Sequence, residues 1–299
     1  MALGDIPNPE QTWVSTDGET TSTSPFPNVA GGVDAFDARH AEGIIASYVD
    51  GHVEFGTVDD LLLPPARAGL VSYLSAGSFG NMADGTKTRT WDGRLGTPTL
   101  RTVWSNESLT YHANALNTRP GIKPYDLKFT SYDDFTNFRN GASIFVVVRP
   151  NSVSTAAAFV ALGNSSEGWT QKSGIALRVD SSALLRYYNS EGNYELFTRS
   201  AAVTANTVQI LGAVIDGESP TRNSLYKDGV ALPTYYWGKV AAPGPANRKD
   251  CMVGRSSFTG DAYWQDFNGD IGEVLIYNRA LNDAEISFTT NFLKWKYGM

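Results

Sequence analysis

The stretch 270–298 limits what this chain can become more than any other part of it. Residues 271–277 form an apolar run with β-branched Ile271, Val274 and Ile276, long enough for one buried strand. Asn278, Arg279, Ala280 and Leu281 make a short turn. Asn282 then reads as an N-cap, and Glu285, three residues on, as its capping-box partner. The helix runs to about Tyr297 and meets Gly298, a residue suited to end it. The spacing predicts strand, tight turn and capped helix as the final unit.

That helix carries two apolar stripes. Phe288, Phe292 and Trp295 share one face, while Ile286, Leu293 and Tyr297 lie roughly opposite. A helix lying on a sheet needs only one. The second stripe is expected to be covered by the segment 31–65 or by another subunit.

At 299 residues the chain is long enough for a large core in one or two domains. Its 29 glycines, 14 prolines and 12% aromatic residues suit an all-β protein rich in turns. A net charge of −7 argues against a nucleic-acid partner and gives no polybasic membrane patch. Cys251 stands alone, so no intrachain disulfide forms. No apolar run reaches the length of a membrane span, and the first residues do not read as a signal peptide. A secreted or anchored natural form is expected to have a leader outside this sequence.

Residues 1–30 are polar and carry Pro7, Pro9, Pro25 and Pro27. They read as an extended arm or linker without regular structure. Residues 31–65 form a small hairpin segment: the β-type runs 44–49 and 52–58 are joined by Asp50-Gly51, a two-residue turn signal. Nine residues separate His40 from Asp50-Gly51, and the text around them resembles the prepilin-processing-associated motif of pilin-like surface proteins. The resemblance implies a surface-exposed origin. The long N-terminal pilin helix is absent. Pro64-Pro65 closes the segment and sets the domain boundary.

From 66 onward, short strands separated by Gly, Asn and Asp indicate an antiparallel sandwich or jelly roll. Residues 143–149 and 156–162 are continuous apolar runs. Residues 174–180 alternate, with Ile175, Leu177 and Val179 on one face, and 184–188 with 194–198 reads as a hairpin. Several segments resemble one family. They are Trp91-Asp92-Gly93, Leu116-Asn117-Thr118-Arg119-Pro120 (with Thr118 where the family has Gly), Tyr226-Lys227-Asp228-Gly229, and the terminal unit itself. Together they resemble the laminin-G-like jelly roll, part of the concanavalin A-like lectin fold, over 66–299. The resemblance implies a two-sheet β-sandwich with a short C-terminal helix.

Chemistry-bearing spacings are sparse. His40, His52 and His112 form no zinc motif, and no nucleophile elbow occurs. Glycoside hydrolases on this sandwich carry paired carboxylates on one strand, and no such set is present here. Glu273, inside the apolar run, reads as a buried structural carboxylate with bonded partners. Asp266, Asn268 and Asp270 place oxygens at alternate positions, as at the start of a calcium loop, without that loop's later Gly and bidentate Glu. A turn entering a strand is the preferred account, with calcium as the one cofactor to consider.

The aromatics give the better lead. Trp169, the run Tyr235-Tyr236-Trp237, and Tyr263-Trp264 sit in turn-rich sequence beside Asn, Asp and Gln. Ring faces stack on sugar C–H groups, and amides and carboxylates take hydroxyls. The competing reading is packing, since Trp is mostly buried in any fold.

The expectation is a non-catalytic recognition or adhesion module at an extracellular or cell surface, with a glycan or a surface protein as partner. The first alternative is a structural subunit of a surface appendage or virion, self-associating through the N-terminal arm and terminal helix. The second is a glycoside hydrolase or polysaccharide lyase.

Overall fold

The computed structural model describes residues 13–14, 44–48, 53–56, 67–80, 82–94, 99–102, 108–124, 127–130, 138, 140–163, 175–189, 194–216, 222–238, 250–255 and 266–299. The chain divides into two units, Met1–Pro64 and Pro65–Met299.

In the first unit, β1 (Trp13–Val14), β2 (Ile44–Tyr48) and β3 (Val53–Gly56) form an antiparallel sheet in that order. β2 and β3 are the strands expected on either side of Asp50-Gly51, with Ile45 opposite Phe55. The turn itself, His40 and His52 lie outside the described residues. β1 differs from expectation. Trp13 and Val14 pair with Tyr48 and Ser47 inside a segment read as lacking regular structure. An aromatic and a β-branched residue have high strand propensity even in a polar surround.

The second unit is a two-sheet sandwich, as expected. Its strands are β4 (Leu70–Ser75), β5 (Lys87–Thr88), β6 (Thr90–Trp91), β7 (Leu100–Thr102), β8 (Leu109–Leu116), β9 (Arg119–Lys123) and β10 (Leu127–Thr130). They continue as β11 (Gly141–Pro150), β12 (Ala157–Gly163), β13 (Ile175–Val179), β14 (Leu185–Asn189), β15 (Tyr194–Thr198) and β16 (Gln209–Asp216). The last are β17 (Ser224–Lys227), β18 (Val230–Ala231), β19 (Thr234–Trp237), β20 (Asp250–Val253) and β21 (Gly269–Tyr277), followed by α1 (Asp283–Lys296). One sheet runs β19-β15-β14-β13-β12-β20-β10-β7-β6, and the other β18-β17-β16-β11-β21-β9-β8-β5 with β4 also on β21. The described pairings are antiparallel.

Alternation places the core between the sheets. Ile144, Val146 and Val148 of β11 and Leu211, Ala213 and Ile215 of β16 meet Phe159, Leu177, Leu185, Tyr187 and Leu196 of the other sheet. β21 is buried along its whole length and pairs with β11, β9 and β4, which accounts for its largely apolar sequence. Trp91 is fully buried and donates Nε1–H to the Ser75 carbonyl at 2.9 Å. Asp228 and Gly229 (φ 50° and 79°) form the expected two-residue turn between β17 and β18.

The terminal unit folds as read. Asn282 Oδ1 accepts from Glu285 N–H at 3.0 Å, and Glu285 Oε2 accepts from Asn282 N–H at 2.9 Å. Gly298 (φ 60°) takes the left-handed conformation that ends the helix. Phe292 is buried, and Phe288 and Trp295 are half-buried.

Candidate functional site

The first sheet has an outer face whose content follows from strand alternation. Ile175, Leu177, Val179, Leu185, Tyr187, Tyr194 and Leu196 all point into the core. The intervening residues must therefore point outward. Pairing sets them in two rows. Arg178, Arg186, Phe197 and Tyr235 lie opposite one another across β13, β14, β15 and β19. Ala176, Tyr188, Glu195 and Trp237 form the neighbouring row.

The charged members lock together. Arg178 and Arg186 each donate to Glu195 Oε1 at 2.9 Å. Arg186 Nε–H also donates to Asp180 Oδ2 at 2.7 Å. Asp180 Oδ1 is fixed in turn by the backbone N–H groups of Ser182 and Leu184. Burial alone would lower the Arg186 pKa, but its bonds to Glu195 and Asp180 outweigh it and hold the group above its ordinary value. The arginine planes also cover aromatic faces: Arg178 over Tyr188 at 4.5 Å, Arg186 over Phe197 at 5.0 Å and Arg199 over Tyr235 at 4.5 Å. The result is a rigid polar floor with rings standing at its edge.

β19 is that edge. Tyr235, Tyr236 and Trp237 are 53%, 69% and 58% exposed, and they supply the only exposed aromatic rings among the described large hydrophobics. Tyr235 and Trp237 stand on the outer face. Tyr236 faces the other way and stacks on Tyr194, with ring centroids 6.4 Å apart. The Tyr194 hydroxyl accepts from Asn223 Nδ2 at 3.2 Å, and burial raises its pKa.

Of the aromatic residues singled out from sequence, the structure places Tyr235, Tyr236 and Trp237 together on β19. Trp169, Tyr263 and Trp264 lie outside the described residues. The three oxygen-bearing residues weighed for calcium each meet a different partner. Asp266 Oδ1 lies 3.7 Å from Arg255, and Asn268 Oδ1 accepts from Asn151 at 3.3 Å. Asp270 is buried between His112 Nδ1 at 2.6 Å and Arg149 at 3.5 Å. Among the described residues, no group of three or more His, Cys, Asp or Glu side chains is arranged to hold a metal.

Sequence reading missed the Arg178–Glu195–Arg186–Asp180 network. The signal was present: charged residues recur at the outward positions of three successive strands whose inward positions are apolar. It also missed the pairing of His112 with Asp270, which are 158 positions apart.

A family model, the concanavalin A-like lectin/glucanases superfamily, matches residues 126–287. No curated protein sequence matches the chain. Among solved structures, the chain is similar to the Ruminococcus gnavus IT-sialidase CBM40 bound to α2,3-sialyllactose, at 17% identity and TM-score 0.43, covering 56% of this chain and 95% of that one. It is similar to the Trypanosoma rangeli sialidase at 14% identity and TM-score 0.49, covering 81% of this chain but only 34% of that enzyme. A leech intramolecular trans-sialidase is similar at 18% identity and TM-score 0.45, with 57% of this chain and 27% of that chain covered.

Proposed function

The chain belongs to the concanavalin A-like lectin/glucanases superfamily, and on that footing we propose that it is a non-catalytic recognition module for carbohydrate at an exterior surface. The observation that carries this reading is the cluster on β19. Three consecutive aromatic residues stay exposed at a sheet edge, where folding gains nothing from keeping them bare. Tyr235 and Trp237 offer ring faces to sugar C–H groups. Beside them, the Arg186 and Glu195 side chains are 20% and 16% exposed, within reach of hydroxyls at the margin of the face.

The state of the carboxylates favours binding over hydrolysis. A glycosidase acid, base or nucleophile needs a carboxylate free to exchange protons or attack carbon. Glu195 and Asp180 are instead each bound to arginine.

A glycan screen followed by calorimetry tests the proposal. Binding by the full chain, weakened about fivefold in Trp237→Ala with folding intact, supports it. Hydrolysis of a bound glycan, or binding unaffected by that substitution, overturns it.

A second reading uses the same edge. β19 ends its sheet among the described residues, and an unpaired edge invites another strand. Under that reading the chain is an assembly subunit. Solution mass separates the two: a stable oligomer that dissociates on placing a proline in β19 favours assembly.

A further inference from the structure

We propose a second binding site, on the other sheet of the same sandwich, for a small hydroxylated ligand that bears one carboxylate, the chemistry of a uronic or aldonic acid. It is a groove of about 380 Å³ lined by Asn114, Asn117, Thr118, Arg149, Asn206 and Thr207. Three separate parts of the chain build it: the β8–β9 turn, the end of β11 and the turn before β16.

Backbone strain converges on this groove. Five described non-glycine residues have left-handed φ, and three of them line it: Asn117 at 50°, Thr118 at 69° and Asn206 at 58°. Asparagine tolerates that region, but β-branched threonine does not. The β8–β9 hairpin needs only a two-residue turn, for which Asn-Gly is the relaxed solution. Threonine in the glycine position costs on the order of 1–2 kcal/mol in backbone energy. The turn gains nothing from it. The groove gains a hydroxyl at its wall, and strain of this kind concentrates at ligand clamps.

The lining defines the ligand. Asn114 and Asn206 each present a donor and an acceptor, the pair that a vicinal diol requires. Asn117 Nδ2 is fixed on the Tyr297 carbonyl at 3.1 Å, which leaves its oxygen as an acceptor. Thr207 Oγ1 donates to the Ala205 carbonyl at 3.3 Å and keeps its lone pairs for a ligand hydroxyl. Arg149 is the one charged lining residue, with 37% of its side chain exposed. Its ion pair with Asp270 is long, at 3.5 Å, while the other Asp270 oxygen is taken by His112 at 2.6 Å. Arg149 is thus held in place yet has guanidinium edge to offer a carboxylate, the anion its fork fits. No aromatic ring lines the groove, so recognition here rests on hydrogen bonds and charge, unlike the stacking proposed at β19.

The test is an amide-shift titration of the full chain with sodium D-glucuronate, with D-glucose as the uncharged control. Glucuronate is expected to move the amide signals of 114–118 and 206–208, and glucose to bind at least about tenfold more weakly, the loss of one charge-assisted contact. Thr118→Gly is expected to keep or raise Tm while weakening glucuronate about tenfold. Arg149→Gln is expected to erase the preference for glucuronate. Silent signals at those residues, an equal response to glucose, or wild-type affinity in Thr118→Gly would each overturn the site. Trp237→Ala leaves this titration unchanged, so it stands or falls apart from the reading of β19.

Discussion

Lys296 Nζ lies 2.9 Å from Glu273 Oε1, with 2% and 0% of the two side chains exposed. The same carboxylate oxygen accepts from the Ser75 hydroxyl at 2.8 Å and the Tyr297 hydroxyl at 3.0 Å. One buried knot therefore ties β4, β21 and the end of α1. Gly272 leaves the room for it, because a Cβ there would collide with the Tyr297 hydroxyl. Breaking such a pair is far costlier than replacing it whole. Lys296→Met is expected to destabilise the protein by about 3–5 kcal/mol, and adding Glu273→Leu to recover most of that. Urea unfolding of both single variants and the double variant gives the coupling. A double variant no more stable than Lys296→Met would show that the knot contributes more than charge compensation.

Arg279 and Glu285 clasp the start of the helix through two bonds of 2.9 and 2.6 Å. The hydrogen bond from Arg279 holds the Glu285 carboxyl below its ordinary pKa, helped by the backbone N–H of Asn282. A depressed folded-state pKa stabilises above the unfolded value, about 4.3, and that stability is lost as pH falls through the folded value. The urea midpoint is expected to drop as pH is lowered below about 4.3, and Glu285→Gln to flatten that part of the profile. An identical acid slope in the variant would place the effect elsewhere.

Trp237 is 58% exposed, so its loss should spare the fold. Trp237→Ala is expected to leave Tm within about 1 °C while weakening glycan binding by about 1 kcal/mol, roughly fivefold. Tyr236→Ala makes the control, since that ring stacks on Tyr194 rather than standing on the outer face. Its main expected effect is a small loss of stability. Equal losses of affinity in both would mean that the edge, not the face, is what the ligand meets.

How much of this was legible in sequence depends on the range of the interaction. The β21–α1 unit was readable because strand, cap and stop all lie within thirty positions of one another, and each carries a local signature in Asn282, Glu285 and Gly298. The Asp228-Gly229 turn was readable for the same reason. Tyr235, Tyr236 and Trp237 were visible as a run, but which rings face out depends on their register with Glu195, Leu196 and Phe197. The Arg178–Glu195 and His112–Asp270 pairs depend on sheet order, which no short window encodes. Thr118 stood out only as a departure from glycine, and its meaning came from the walls that Arg149 and Asn206 bring to it.

The oxygens of Asp266, Asn268 and Asp270 give the last expectation. In sequence they alternate like calcium ligands, yet Asp270 pairs both its oxygens, one to His112 and one to Arg149. A calcium ion approaching Asp270 would have to displace a cationic guanidinium from a carboxylate that is 3% exposed. Asn268 would also give up the Asn151 amide, which the backbone bond from Asn151 N–H to the Asn268 carbonyl at 2.9 Å holds in place. An ion that binds the folded chain alone must raise Tm in proportion to the logarithm of its concentration. Calcium at several concentrations, and then a chelator, are expected to leave Tm unchanged within about 1 °C. A concentration-dependent rise would mean that these side chains rearrange around the ion, and Asp270→Asn would then abolish the rise.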